Sequence, residues 1–142
     1  MIVRRWTLGD TDKINLQSAQ EYMSNWSMMT ADLTDLSEAG LAWTAEHDGQ
    51  VLAIAGLAPQ WENRACAWAL ISDAAGDHFL TIHKAVKRFL TMSEYRRIEA
   101  TVDVGFTEGE RWMNLLGFEY EGLMRAYRPD GQDMLMFARV VK

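Results

Sequence analysis

Hydrophobic and polar positions alternate with two different periods along this chain, and the change of period divides it into elements. Ile2–Trp6 predicts a short strand. Asp10 is a good N-cap residue and precedes a segment over 11–25 in which Ile14, Tyr22 and Trp26 share one face of a predicted helix. A second, short helix is predicted over 31–39. Leu41–His47 sets Leu41, Trp43 and Ala45 against Ala42, Thr44 and Glu46, the period of a half-buried strand. Asp48-Gly49 is a strong hairpin signal, because a tight primed turn needs positive φ. The nearly continuous apolar run Val51–Leu57 then predicts a central strand, and Ala65–Ile71 a further buried one.

Asp77–Met92 is the clearest helical pattern. Phe79, Ile82, Val86, Phe89 and Leu90 form its apolar stripe, Lys84, Lys87 and Arg88 its wetter side, and Asp77 a candidate N-cap. Arg97–Val104 predicts a strand. The stretch that follows, GFTEGERWMNLLGFEYEGLMR over 105–125, specifies a helix at both ends. Thr107 and Glu110 have the spacing of a capping box, and Met113, Leu115 and Leu116 supply apolar surface. Gly117 offers the left-handed residue that stops a helix, with Phe118 placed to pack back on its last turn. Phe118–Met124 continues as a strand, and Pro129-Asp130-Gly131 turns the chain into a last strand over 133–141. The order β α α β β β α β α β β predicts an α/β (α+β) fold in a single domain, 1–142. Its mixed, largely antiparallel sheet has six to seven strands, flanked by about four helices.

Composition narrows the class. A net charge of −6 argues against nucleic acid or an anionic membrane as a general partner. The single cysteine, Cys66, forms no internal disulfide and fits a reducing compartment. The N-terminus lacks an apolar run of signal-peptide length, and no segment has the uninterrupted apolar length of a membrane span, so the chain reads as cytosolic at synthesis. Six tryptophans and nine methionines leave two readings open: a core of large, adaptable side chains, or a partner surface. No His/Cys/Asp cluster has metal-ligand spacing, and no Ser–His–Asp set or Walker-type glycine loop can be assigned.

The element order, together with Leu116-Gly117-Phe118 followed by Glu121-Gly122-Leu123-Met124-Arg125, resembles the Gcn5-related N-acetyltransferase (GNAT) superfamily over the whole chain. The motif looks like that of members acting on N-terminal or small-molecule amines. Within the superfamily the chain is also similar to small phage-encoded proteins, including the internal virion protein family of T7-like phages. Two segments carry that likeness: Ser72-Asp73 before a basic-faced helix, and Tyr127-Arg128-Pro129-Asp130-Gly131-Gln132-Asp133 before the last strand. The resemblance implies acetyl-CoA as cofactor, an amine as acceptor and the host cytoplasm as location. It also implies an alternative: a catalytically silent virion or assembly protein that contacts other virion or host proteins.

By the same resemblance, the cofactor's pyrophosphate would lie on the loop after the fourth strand. The matching residues are Leu70, Ile71, Ser72, Asp73, Ala74, Ala75, Gly76, Asp77 and His78. The superfamily's Arg or Gln and its first glycine are missing there, and Asp73 and Asp77 place carboxylates where a dianion would bind. A plain structural reading makes Asp77 a helix cap and Asp73 a turn residue. The tyrosine that protonates the leaving sulfur in many members corresponds to Met113. The serine that serves ribosomal-protein modifying members corresponds to about Gly109. Neither residue donates a proton, and Trp112 beside them has only an indole N–H. Candidate general bases are Asp103 and Glu62, with Glu46 and His83 behind them. The cofactor arm is expected where the strands Ala65–Ile71 and Arg97–Val104 part, with Ala67 and Ala69 leaving room.

Overall fold

The computed structural model describes residues 1–17, 20 and 31–142. Strands β1 (Ile2–Arg5), β2 (Ala42–His47), β3 (Gln50–Trp61), β4 (Arg64–Ile71), β5 (Arg97–Asp103), β6 (Glu119–Met124) and β7 (Met134–Val140) form one sheet, ordered β1-β2-β3-β4-β5-β7-β6. β4 and β5 pair in parallel, whereas β1–β2, β2–β3, β5–β7 and β6–β7 are antiparallel. The α-helices among the described residues are α1 (Thr34–Glu38), α2 (Phe79–Met92) and α3 (Thr107–Leu115). The mixed α/β architecture expected from the pattern is the one observed. Backbone contacts divide the chain into two compact units, Met1–Ala58 with Ala69–Thr91, and Pro59–Trp68 with Met92–Lys142.

In the first unit the helix expected over 11–25 begins only as a 3-10 turn, Thr11–Lys13, and Ile14 already has extended backbone. Tyr22 and Trp26 lie outside the described residues. Asp10 is no side-chain cap. It is 1% exposed and its carboxylate accepts five hydrogen bonds instead. Arg4 donates two of them, Nη1 at 2.8 Å and Nη2 at 2.9 Å, the Thr7 amide and the Thr44 hydroxyl donate one each at 2.8 Å, and the Thr7 hydroxyl one at 3.2 Å. Burial by itself pushes the Asp10 carboxyl up. The donors from Arg4, Thr7 and Thr44 outweigh it and hold the group well below the usual carboxylate range. On β2, Ala42 and Thr44 are fully buried, Thr44 over this cluster, and Ala45 is buried as well, while Trp43 is half-buried and gives its indole N–H to the Gly40 carbonyl.

The Asp48-Gly49 turn has φ of 50° and 76°, as a primed hairpin requires. It registers β3 so that Val51, Leu52, Ala53, Ile54 and Leu57 are buried. On α2, Ile82 and Leu90 are buried and Phe79, Val86 and Phe89 half-buried, whereas Lys84, Lys87 and Arg88 face water. The cap before α2 differs from expectation. A 3-10 turn, Asp73–His78, leads into the helix, and Ser72 caps it by accepting the Ala74 amide at 3.1 Å. Asp77 is exposed within that turn. Ser72→Ala is expected to cost ~1 kcal/mol of stability and Asp77→Ala no more than ~0.5 kcal/mol, read from urea midpoints. The reverse order would restore Asp77 as the cap.

In the second unit β5 pairs with β7 from Arg97↔Val140 to Asp103↔Met134. β6 closes the sheet against β7 with a bulge between Tyr120 and Gly122. Buried Glu99 accepts from Arg64 at 2.8 and 2.7 Å and from Arg97 at 3.1 Å, and Arg97 reaches on to Glu121. The Thr107/Glu110 capping box does not form. Phe106 stands before α3 without a side-chain cap, and the Glu110 amide bonds the Phe106 carbonyl at 3.2 Å. The Phe106 ring lies against Gly109 in the first turn, and Thr107 is itself the first helical residue. The other end is as expected: Gly117 has φ 89°, its amide bonds Asn114 O at 3.1 Å, and the Phe118 amide bonds Met113 O at 2.9 Å. Phe118 is buried.

Trp6, Met113 and Met134 belong to the core, while Trp61 and Met92 are exposed.

Candidate active site

The geometry that matters begins with strand pairing. β4 and β5 are in register at Arg64↔Arg97, Ala65↔Ile98 and Cys66↔Glu99, and the register ends there, although β4 runs on to Ile71. The Ser72 amide bonds Leu52 O at 2.9 Å, so even-numbered backbone groups at this end of β4 point toward β3 and odd-numbered ones point away. Those odd-numbered groups are not left bare. Ala69 O accepts from Gln20 Nε2 at 2.8 Å, and the Ile71 amide donates to Gln20 Oε1 at 2.8 Å. Ile71 O accepts the Gln17 amide at 2.9 Å, and the Asp73 amide donates to Asn15 O at 3.0 Å. Leu16 bridges Ser72 in antiparallel sense.

Of the expected phosphate-loop residues, Leu70 and Ile71 are buried on β4, and Ser72 is buried as the cap. Asp73, Ala74, Gly76 and Asp77 are exposed, and Ala75 is buried. Asn15 takes the Asp73 amide, and Ser72 takes the Ala74 and Ala75 amides through its hydroxyl and carbonyl. The first three donors of the turn are thus used internally, and two carboxylates flank them. This is a poor cradle for a pyrophosphate. The His78 ring packs against that of His47 at a tilt of 41°, with ring centroids 4.4 Å apart.

The candidate bases and donor lie in the second unit. Asp103, at the end of β5, is half-buried and accepts Arg128 Nη1 at 2.8 Å, and Arg128 also holds Asp130. The Tyr127 and Arg128 amides both bond Gln132 O, which folds the β6–β7 loop around this pair. Glu62 is exposed in the turn before β4, whereas the Ser72–His78 turn follows that strand. Trp112 is half-buried on α3 and Met113 is buried. A Cβ at Gly109 would stand 2.7 Å from Phe106 Cδ2 and 2.9 Å from Val102 Cγ1, so the volume a serine side chain needs there is filled. In the other unit, Glu46 accepts from Arg4 at 3.3 Å and His83 is half-buried on α2. Burial pushes the Cys66 thiol up, with the Glu99 carboxylate adding to it, so Cys66 is a poor nucleophile.

Gln20 and Arg128 were not singled out by sequence reasoning. Gln20 lies in the segment 11–25 that predicts a helix, off the face of Ile14, Tyr22 and Trp26, and Arg128 sits in a turn motif that announces a bend but no partner. No group of three metal-ligating side chains occurs among the described residues, and none of their helices is long and apolar enough to cross a membrane.

No protein-family model and no curated protein sequence matches the chain. Solved structures do. Ard1 from Thermoplasma volcanium superposes with a TM-score of 0.78 at 13% identity, over 99% of this chain and 97% of that one. An N-acetyltransferase from Staphylococcus aureus Mu50 gives 0.74 at 13%, covering 99% and 98%. A ribosomal-protein-alanine N-acetyltransferase from Brucella melitensis gives 0.69 at 18%, covering 99% and 100%. Others include GNAT-family acetyltransferases from Bacillus anthracis and Bacillus cereus. At such identities the likeness is one of fold, and the fold of this chain is that of the GNAT N-acetyltransferases.

Proposed function

We propose that this chain is an acetyl-CoA-dependent N-acetyltransferase acting on an amine by direct attack. The observation that carries this reading is the end of β4. Its pairing with β5 stops at Cys66, and from Ala69 to Ile71 its outward backbone groups satisfy a carboxamide, the group that recurs along the cofactor's pantetheine arm. The cofactor supplies an activated acetyl thioester. The amine nitrogen forms the new C–N bond as the C–S bond breaks, the sulfur leaves as thiolate, and the amine's proton passes to a base or to water. Thiols ionise near pH ~8.5, so the thiolate leaves without an acid. That suits a chain with Met113 and Gly109 at the acid positions. Of the two candidate bases, Asp103 already accepts Arg128 Nη1 at 2.8 Å, whereas Glu62 is exposed in the turn before β4. Trp112 contributes a hydrogen-bond donor at most.

Asp73 and Asp77 make weak affinity the expectation. An exposed pair of like charges at contact distance repels by about 1 kcal/mol. Calorimetric titration with acetyl-CoA is expected to show weak binding by wild type. Asp73→Asn is expected to bind a few-fold more tightly with a flatter salt dependence. No heat from either protein at millimolar ligand would sink the enzyme reading. A second reading would then stand, a catalytically silent GNAT-fold virion or assembly protein of a phage in its host's cytoplasm. It is favoured by the filled space at Gly109 and the Asp103–Arg128 pair.

A further inference from the structure

We propose that Gln20 is a built-in competitor for the ligand amide at the β4 edge, and so sets the affinity of this site for pantetheine-type molecules. The inference rests on the acetyl-CoA reading, in its pantetheine part only. The Gln20 side chain presents one N–H donor and one carbonyl acceptor, and spans Ala69 O and the Ile71 amide at 2.8 Å each. A neighbouring strand makes the same two bonds with the N–H of one peptide group and the C=O of the next, and the N–H and C=O of two successive secondary amides, as in pantetheine, offer the same pair. Gln20 is held in place from its own segment. Its amide bonds Gln17 O at 2.9 Å, and its Oε1 lies 3.3 Å from Gln17 Nε2. Gln17 and Asn15 fasten that segment to Ile71 O and the Asp73 amide. The Gln20 carboxamide is therefore the one side-chain group among the described residues that bonds the β4 backbone at Ala69 and Ile71, with backbone contacts of Asn15 and Gln17 beside it.

Any amide ligand that reads Ala69 and Ile71 must first displace this carboxamide. When the competent state is only a fraction of the population, apparent affinity falls by that fraction. Two buried-edge hydrogen bonds between neutral groups are enough to hold the open fraction near one tenth. Gln20→Met keeps the length of the side chain and removes both polar ends. It is expected to bind pantetheine and acetyl-CoA about tenfold more tightly than wild type, which is 1.4 kcal/mol. Pantetheine has no phosphates, so its gain separates the edge from the acidic turn.

The experiment titrates wild type, Gln20→Met and Gln20→Ala with pantetheine and with acetyl-CoA. Beside it, hydrogen exchange of the Ile71 amide is followed without ligand, at a temperature where all three proteins are folded by circular dichroism. Tighter binding of both ligands, with faster Ile71 exchange in the variants, is the expected result. Equal or weaker binding by the variants, with wild-type binding intact, overturns the competitor role and leaves the enzyme reading standing. Unchanged Ile71 exchange in both variants shows that Gln20 does not hold the edge and also overturns it. Absence of binding by all three proteins defeats the enzyme reading and this one together, and is recognised by the silent wild type.

Discussion

Arg4→Ala is expected to lower folding stability by about 3–5 kcal/mol, because it strands the Asp10 carboxylate in a site that is 1% exposed. The Thr7 amide and the Thr44 hydroxyl remain as donors, but neither brings a positive charge. Asp10→Asn is milder, at about 1.5–3 kcal/mol, since Arg4 is partly in water and keeps Glu46. The pH dependence has a definite sign. The folded carboxyl is depressed, so its contribution is fully present above the ordinary carboxylate pKa and fades as pH falls toward the folded value. The stability gap between wild type and Asp10→Asn should hold at neutral pH and shrink below about pH 4. Urea midpoints at pH 7 and pH 3 measure it. A gap that stays constant would show that Asp10 is not held as an ion.

Gly109→Ser is expected to cost about 1–3 kcal/mol of stability and to add no acetyl transfer beyond that of the wild type. Two effects compete at this position. A glycine inside a helix is worse than most residues by up to about 1 kcal/mol, so substitution on a free helix would stabilise. Here the new Cβ lands 2.7 Å from the Phe106 ring and 2.9 Å from Val102, and overpacking wins. Adding Phe106→Ala should recover part of the loss, a coupling of at least ~0.5 kcal/mol in a double-mutant cycle. A neutral or stabilising Gly109→Ser would mean that Phe106 swings aside easily, and the missing proton donor would then be a matter of chemistry alone.

Much of the scaffold was legible because it depends on short-range signals. Asp48-Gly49, Gly117-Phe118 and the stripe around Ile82 and Leu90 each specify conformation within a few residues, and all three are found. Caps were less legible. Thr107/Glu110 fits a capping box as spelling, yet α3 begins at Thr107 with Phe106 before it and no side-chain cap, and Ser72, not Asp77, caps the turn that leads into α2. The Asp10 cluster was not legible, because the Thr44 hydroxyl reaches it across 34 positions. At the candidate site the strands were foreseeable from their apolar runs. What meets them was not: Gln20 reaches Ile71 across 51 positions, and Arg128 reaches Asp103 across 25, with nothing periodic to announce either.

The bulge in β6 bears on how this protein behaves in a crowded solution. As the last strand of the sheet, β6 offers a row of backbone groups to any extended chain that drifts past. The extra residue between Tyr120 and Gly122 breaks the even spacing that such a guest would need. It also leaves Glu121 exposed and tied to Arg97, with exposed Glu119 two residues away, so the guest meets negative charge on an irregular rail. Pairing with a second chain is thereby disfavoured along this edge, where Tyr120 and Leu123 stand exposed.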